Sequence, residues 1–169
     1  HKGLESSVEM HYLYKIPQSL GSGNYANLGT FRGASVAALA FGLKEVNLKG
    51  KVYAIDIYHP GHKMSPEKLM NEFEKLELGD YLEVCKGFTY EWAKKLKTIK
   101  FNYIFIDADH NYETCKEDYE LWSPLLKEDG ILSFHDSNLN TVAKVISELP
   151  KEWILIDHVD RIKSFRRIE

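Results

Sequence analysis

The sequence predicts an α/β fold, a mostly parallel sheet covered by helices on both faces. Three observations predict it. Short apolar runs alternate with segments of helical period along most of the 169 residues, and such alternation puts the crossover helices on the faces of a parallel sheet. The alternation then gives way to two strand-like runs with no helix between them, which adds an antiparallel strand at one edge. Finally, glycines, carboxylates and histidines gather at the carboxyl ends of the runs, where open sheets bind ligands.

The elements follow in order. Residues 6–19 read as a helix with Val8, Tyr12 and Ile16 on one face. Asn24 to Leu28 is a short strand, and Gly29-Thr-Phe-Arg-Gly33 is a turn. Ala34 to Leu43 is helical, because Val36, Leu39, Ala40 and Leu43 fall on one stripe. Val52 to Ile55 is the second strand and ends on Asp56. After a loop containing His59 and His62, a helix opens at Ser65-Pro66-Glu67, with Ser as N-cap and Pro at the first helical position. Tyr81 to Cys85 is strand three and Thr89 to Leu96 a short helix.

Strand four runs from Tyr103 to Asp107. A helix over 111–126 follows, with Tyr112, Cys115, Tyr119, Trp122 and Leu126 on one face and Gly130 at its exit. Ile131 to Phe134 is strand five, and Thr141 to Leu149 a helix. Trp153–Ile156 and Lys163–Ile168 close the chain as two strands around a turn at 159–161.

Composition narrows the function classes. The length suits one domain over 1–169 with a substantial core. The net charge of -3 offers no broad basic footprint for nucleic acid. No apolar stretch approaches the roughly 20 residues of a membrane span. The chain opens on His1-Lys2 without Met, and no secretory signal is visible there. Cys85 and Cys115 read as reduced thiols, and the expected compartment is the cytoplasm.

Two stretches carry chemistry. In "NLGTFRGAS" two glycines between a strand and a helix permit a tight turn and close approach of backbone to a ligand. Asp56, ending a strand about 27 residues after Gly29, is placed to accept ribose hydroxyls. In "FIDADHNY" a buried strand ends on Asp107, with Asp109 and His110 directly after it. With strand order 3-2-1-4-5, Asp107 and the pair His135-Asp136 converge beyond neighbouring strands. Two carboxylates and an imidazole suit a divalent cation, the oxygens favouring Mg²⁺ or Ca²⁺ and the histidine admitting Mn²⁺ or another transition metal. His110 is the candidate general base, since its ordinary pKa is near neutrality. Asp109 orients its neighbours or caps the next helix. His59 and His62 read as loop residues or part of a substrate lid, and Arg161, Arg166 and Arg167 as a solvated end.

The stretches "NLGTFRGASVAALA", "VYAIDIY", "YIFIDADHNYETCKEDYELWSPLLKEDGILSFHD" and the closing "SFRRI" resemble the class I S-adenosylmethionine-dependent methyltransferases. Within that class the chain is similar to metal-assisted small-molecule O-methyltransferases of the macrocin and cephalosporin-cluster type, from about residue 24 to the end. The resemblance implies a Rossmann-like doubly wound sheet of seven strands in the order 3-2-1-4-5-7-6, the last antiparallel. Residues 1–20 form an N-terminal helical segment ahead of the catalytic core.

For the cofactor the resemblance implies Asn27, Gly29, Thr30, Phe31, Gly33, Ser35, Asp56, Gly87, Phe88 and Asp107. Among these, Gly29 to Gly33 lie under the methionine part, Asp56 on the ribose, and Gly87-Phe88-Thr89 near adenine. It implies Asp107, His135 and Asp136 as cation ligands, with Asp107 and His110 as the catalytic pair. Two positions depart from the family. Asn27 stands where an acid is usual, removing a charge near the cofactor's ammonium group. His135-Asp136 replaces two acids or Asp-Asn.

The expected activity is methyl transfer to a hydroxyl of a small molecule. Because the N-terminal segment is short, either a second copy of the chain completes the pocket or the acceptor is small or partly exposed. Two other readings stay open. One is a non-catalytic nucleoside-binding domain. The other is an aspartate-nucleophile phosphotransferase, which needs Asp107 and Asp109 together.

Overall fold

The computed structural model describes residues 5–168, so the first four residues of the expected N-terminal segment lie outside the described residues. The strands are β1 Gly23–Leu28, β2 Gly50–Asp56, β3 Leu82–Lys86, β4 Phe101–Ile106, β5 Leu126–Phe134, β6 Trp153–Val159 and β7 Ile162–Arg167. The helices are α1 Ser7–Leu20, α2 Ala34–Glu45, α3 Pro66–Lys75, α4 Thr89–Lys95, α5 Tyr112–Trp122 and α6 Asn140–Ser147. The seven strands form one sheet in the order β3-β2-β1-β4-β5-β7-β6, as the resemblance implied. β1 to β5 pair in parallel, and β7 runs antiparallel between β5 and β6.

Strand periodicity divides the core into two layers, since successive side chains point to opposite faces. Tyr25, Val52, Tyr103 and Phe105 pack with α1, α2 and α3 on one face. Ala26, Ile55, Ile104 and Ile106 pack with α4, α5 and α6 on the other. β4 at the centre is buried along its whole length, which is why it reads as an unbroken apolar run. Among the described residues no helix is long and apolar enough to cross a membrane.

Two sequence expectations need correction. The helix expected over 111–126 stops at Trp122, and Ser123–Leu125 form one tighter turn. Pro124 explains the stop, because it lacks the N–H that the next helical bond needs. Leu126 therefore belongs to β5, where it pairs with Phe101, and Gly130 lies inside that strand rather than at a helix exit. The buried face of α1 is Glu9, Leu13, Ile16 and Pro17, whereas Val8 is 60% exposed. The buried face departs from the apolar period because it begins on a carboxylate, Glu9.

Candidate functional site

The crevice beyond the carboxyl ends of β1, β2 and β4 is built first from backbone. Gly29 has φ +90, and a Cβ there would stand 2.2 Å from the Asp107 carbonyl oxygen. The loops after β1 and β4 touch only because this residue is glycine. Phe31 lies at φ +48 inside the turn, and Gly33 caps α2 at φ +86.

Asp56 holds the turn down. Its Oδ2 accepts the Phe31 N–H at 2.9 Å and its Oδ1 the Tyr58 N–H at 2.6 Å. Thr30 is buried, and the Ser35 hydroxyl donates to Asn27 Oδ1 at 3.2 Å. Asn27 is fully buried, and its Nδ2 has no hydrogen-bond partner. A cleft of about 390 Å³ opens beside this turn, lined by Gly29, Asp56, His62, Gly87, Phe88 and Thr89 among others. Clefts of about 380 and 610 Å³ lie at the opposite, amino-terminal end of the parallel strands, around Leu126 to Glu128, away from these groups.

Next to the cleft, side chains take over. Asp107 Oδ1 lies 2.8 Å from His135 Nδ1 and 3.7 Å from His110 Nε2. Asp136 Oδ2 lies 2.8 Å from His110 Nε2. One ligand atom from each of Asp107, His110, His135 and Asp136 falls within 4.8 Å of the others. The expected trio therefore converges, and His110 joins it. Asp136 sits at φ +47, a conformation uncommon for a non-glycine residue and frequent at functional sites. Asp109 stays out of the cluster. It is exposed and accepts the Asn111 N–H at 3.1 Å and the Asn111 amide at 2.6 Å, so the second carboxylate of a phosphotransferase pair is engaged elsewhere.

Behind the cluster stand two residues outside the expected site, Glu9 and Arg161. Arg161 is no solvated end. Its guanidinium donates to Asp136 Oδ1 at 2.9 Å and to Glu9 Oε2 at 2.8 Å. Glu9, with a fully buried side chain, also accepts the Arg161 N–H at 3.0 Å and lies 3.3 Å from His135 Nε2. The same carboxylate accepts the Ser6 N–H at 2.7 Å, closing a capping box on α1. Ser6-x-x-Glu9 is a visible signal of that box, one step before an apolar run. Nothing local marks Arg161.

These contacts set the charges. Burial would lower the His135 pKa, but Asp107, Asp136 and Glu9 surround it and raise it to about 9. His110 is raised by Asp107 and then Asp136, against partial burial. For Glu9 burial works upward, yet the Ser6 N–H and Arg161 outweigh it and the pKa falls.

The sequence pattern of the methyltransferase domain family matches residues 26–137, two thirds of the chain. The chain belongs to that family. The fold of this methyltransferase is also that of solved structures at low identity. An O-methyltransferase from Bacillus cereus in complex with SAH is 19% identical, with a TM-score of 0.74 over 99% of this chain and 84% of that one. The O-methyltransferase TomG from Streptomyces achromogenes, in complex with SAM, is 15% identical with a TM-score of 0.79 over 98% and 82%. A methyltransferase from Geobacter sulfurreducens is 13% identical with a TM-score of 0.75 over 98% and 82%.

The methyltransferase's own residues fit a nucleoside cofactor. Gly29 keeps the turn open, each Asp56 oxygen keeps a lone pair beyond its backbone bond, and Asn27 Nδ2 is an unanswered donor. By donor type the four-residue cluster is compatible with a divalent cation, since it offers two carboxylates and two imidazoles.

Proposed function

We propose that this methyltransferase uses S-adenosylmethionine to methylate a hydroxyl of a small molecule. The observation that carries the reading is the juxtaposition, across one crevice, of the glycine-turn cleft and the His110–Asp136 pair. When bound, S-adenosylmethionine supplies a methyl group on a sulfonium centre. Asp56 would accept the ribose hydroxyls, Gly87 and Phe88 would flank adenine, and Gly29 to Gly33 would underlie the aminoacyl part. Thr30, Ser35 and Asn27 close that end.

His110 would take the proton of the acceptor hydroxyl. Asp136, 2.8 Å from its Nε2, orients the ring and stabilises its cationic form. Its pKa is raised, so activity rises with pH through that value as the base becomes neutral. Asp107, His135 and Asp136 are the residues that would hold a divalent cation such as Mg²⁺ or Mn²⁺. The cation would lower the pKa of the acceptor hydroxyl. In-line transfer then depends on alignment of oxygen and methyl.

Isothermal titration with S-adenosylhomocysteine tests the cofactor half, and absence of binding at millimolar ligand overturns it. Activity that survives EDTA unchanged removes the cation and leaves His110 as the means of activating the acceptor.

A further inference from the structure

We propose that Glu5 supplies the counter-charge for the ammonium group at the aminoacyl end of the cofactor, in place of a carboxylate at position 27. The inference rests on the cofactor reading above and concerns one end of that site.

Position 27 cannot do this work itself. Asn27 is neutral and fully buried, its Oδ1 is taken by the Ser35 hydroxyl at 3.2 Å, and the atom left over, Nδ2, is a donor. An ammonium group needs acceptors and, in a partly dry pocket, a negative charge. A carboxylate reaches the same place from outside the sheet. Glu5, two residues before α1, lines a notch of about 20 Å³ with Gly29, Thr30, Phe31, Arg32 and Asp107. That volume holds one water-sized group, the size of an ammonium.

The other charges around the notch have contacts of their own. Asp107 Oδ1 is bonded to His135 at 2.8 Å. The Arg32 guanidinium sits 5.3 Å from the centre of the Phe31 ring, and among the described residues no ion pair joins Glu5 to a Lys or Arg. The groups that act on Glu5 are its own backbone, the Ser35 hydroxyl, Asp107 and His135. Ser35 donates its hydroxyl proton to Asn27 Oδ1 and stands near Glu5 as well, which links position 27 to the notch. A half-buried carboxylate beside another carboxylate is unfavourable until a cation joins it, and the cofactor's ammonium is a cation of the right size.

The test compares two ligands that share the nucleoside and the thioether. S-adenosylhomocysteine carries the amino-acid end, and 5′-methylthioadenosine lacks it. Isothermal titration of both is run on wild-type protein, Glu5→Gln, and Glu5→Gln combined with Asn27→Asp. The expected result is a loss of roughly tenfold or more for S-adenosylhomocysteine in Glu5→Gln, with 5′-methylthioadenosine changed by less than about twofold. Asn27→Asp should recover most of the loss by restoring the charge from the sheet side. Equal weakening of both ligands means a structural role and overturns the inference, as does no weakening of S-adenosylhomocysteine. Wild-type protein that binds neither ligand overturns the cofactor reading and this inference with it. Binding of both with no effect of Glu5→Gln overturns this inference alone.

Discussion

Around the glycine turn the chain holds itself by its backbone. Two N–H groups close on Asp56, and Gly29 brings the turn against the Asp107 carbonyl. Around Asp107 the chain is held by side chains drawn from distant parts of the sequence: Glu9 from α1, His110 from the loop after β4, His135 and Asp136 after β5, and Arg161 from the β6–β7 turn. A backbone-built wall presents a fixed shape and depends on little beyond the absence of a Cβ. A charge-built wall can exchange protons and cations, and each member depends on the others being present.

The comparison is sharpened most by a change on the charged side that should spare the fold. His110 is partly exposed, so His110→Ala should leave the melting temperature nearly unchanged while lowering kcat by roughly 10²–10⁴-fold in a methyl-transfer assay. Retained activity would move the base elsewhere. Next in size is Glu9→Ala. It leaves Arg161 and His135 facing each other beside Asp136 without their shared anion, and should cost about 3–5 kcal/mol in a urea titration. A loss below about 1 kcal/mol would mean that water replaces Glu9 and the wall is less interdependent than drawn.

The charged wall should also make stability depend on pH. The folded pKa of His135 is raised from 6.5 to about 9. Its contribution is therefore full below pH 6.5 and is lost as pH rises through about 9. By linkage the loss is on the order of 3 kcal/mol. Denaturant midpoints should fall across that window in the wild type and stay flatter in His135→Gln. The smallest pH-dependent effect is expected on the backbone side. Gly29→Ala should cost at least about 1–3 kcal/mol from the positive φ, and the approach of its Cβ to within 2.2 Å of the Asp107 carbonyl oxygen adds to that. It should also weaken S-adenosylhomocysteine binding, with no pH dependence of its own. A pH-dependent defect in Gly29→Ala would show that the two walls are coupled.

Much of the fold was legible because its signals are local. The stripe Val36, Leu39, Ala40, Leu43 is buried as read, and the apolar run before Asp107 is the central strand. The departures from the apolar pattern have local causes too. Pro124 ends α5 earlier than the apolar stripe suggested, and the buried face of α1 begins on Glu9, a residue that a search for apolar periodicity passes over.

At the crevice, the sequence by itself determined the residues that end strands. Gly29, Asp56, Asp107 and His135-Asp136 stand where alternation of strand and helix must bring them, because the strand order places β1, β4 and β5 side by side. Only the tertiary structure decided what stands behind them. Glu9 and Arg161 are separated by 152 residues and meet at 2.8 Å. Their pairing follows from α1 packing beneath the end of the sheet and the last hairpin folding back beside β5. No periodicity or spacing records an approach of that kind, since a long-range ion pair is fixed by the path of the whole chain rather than by the residues flanking either partner.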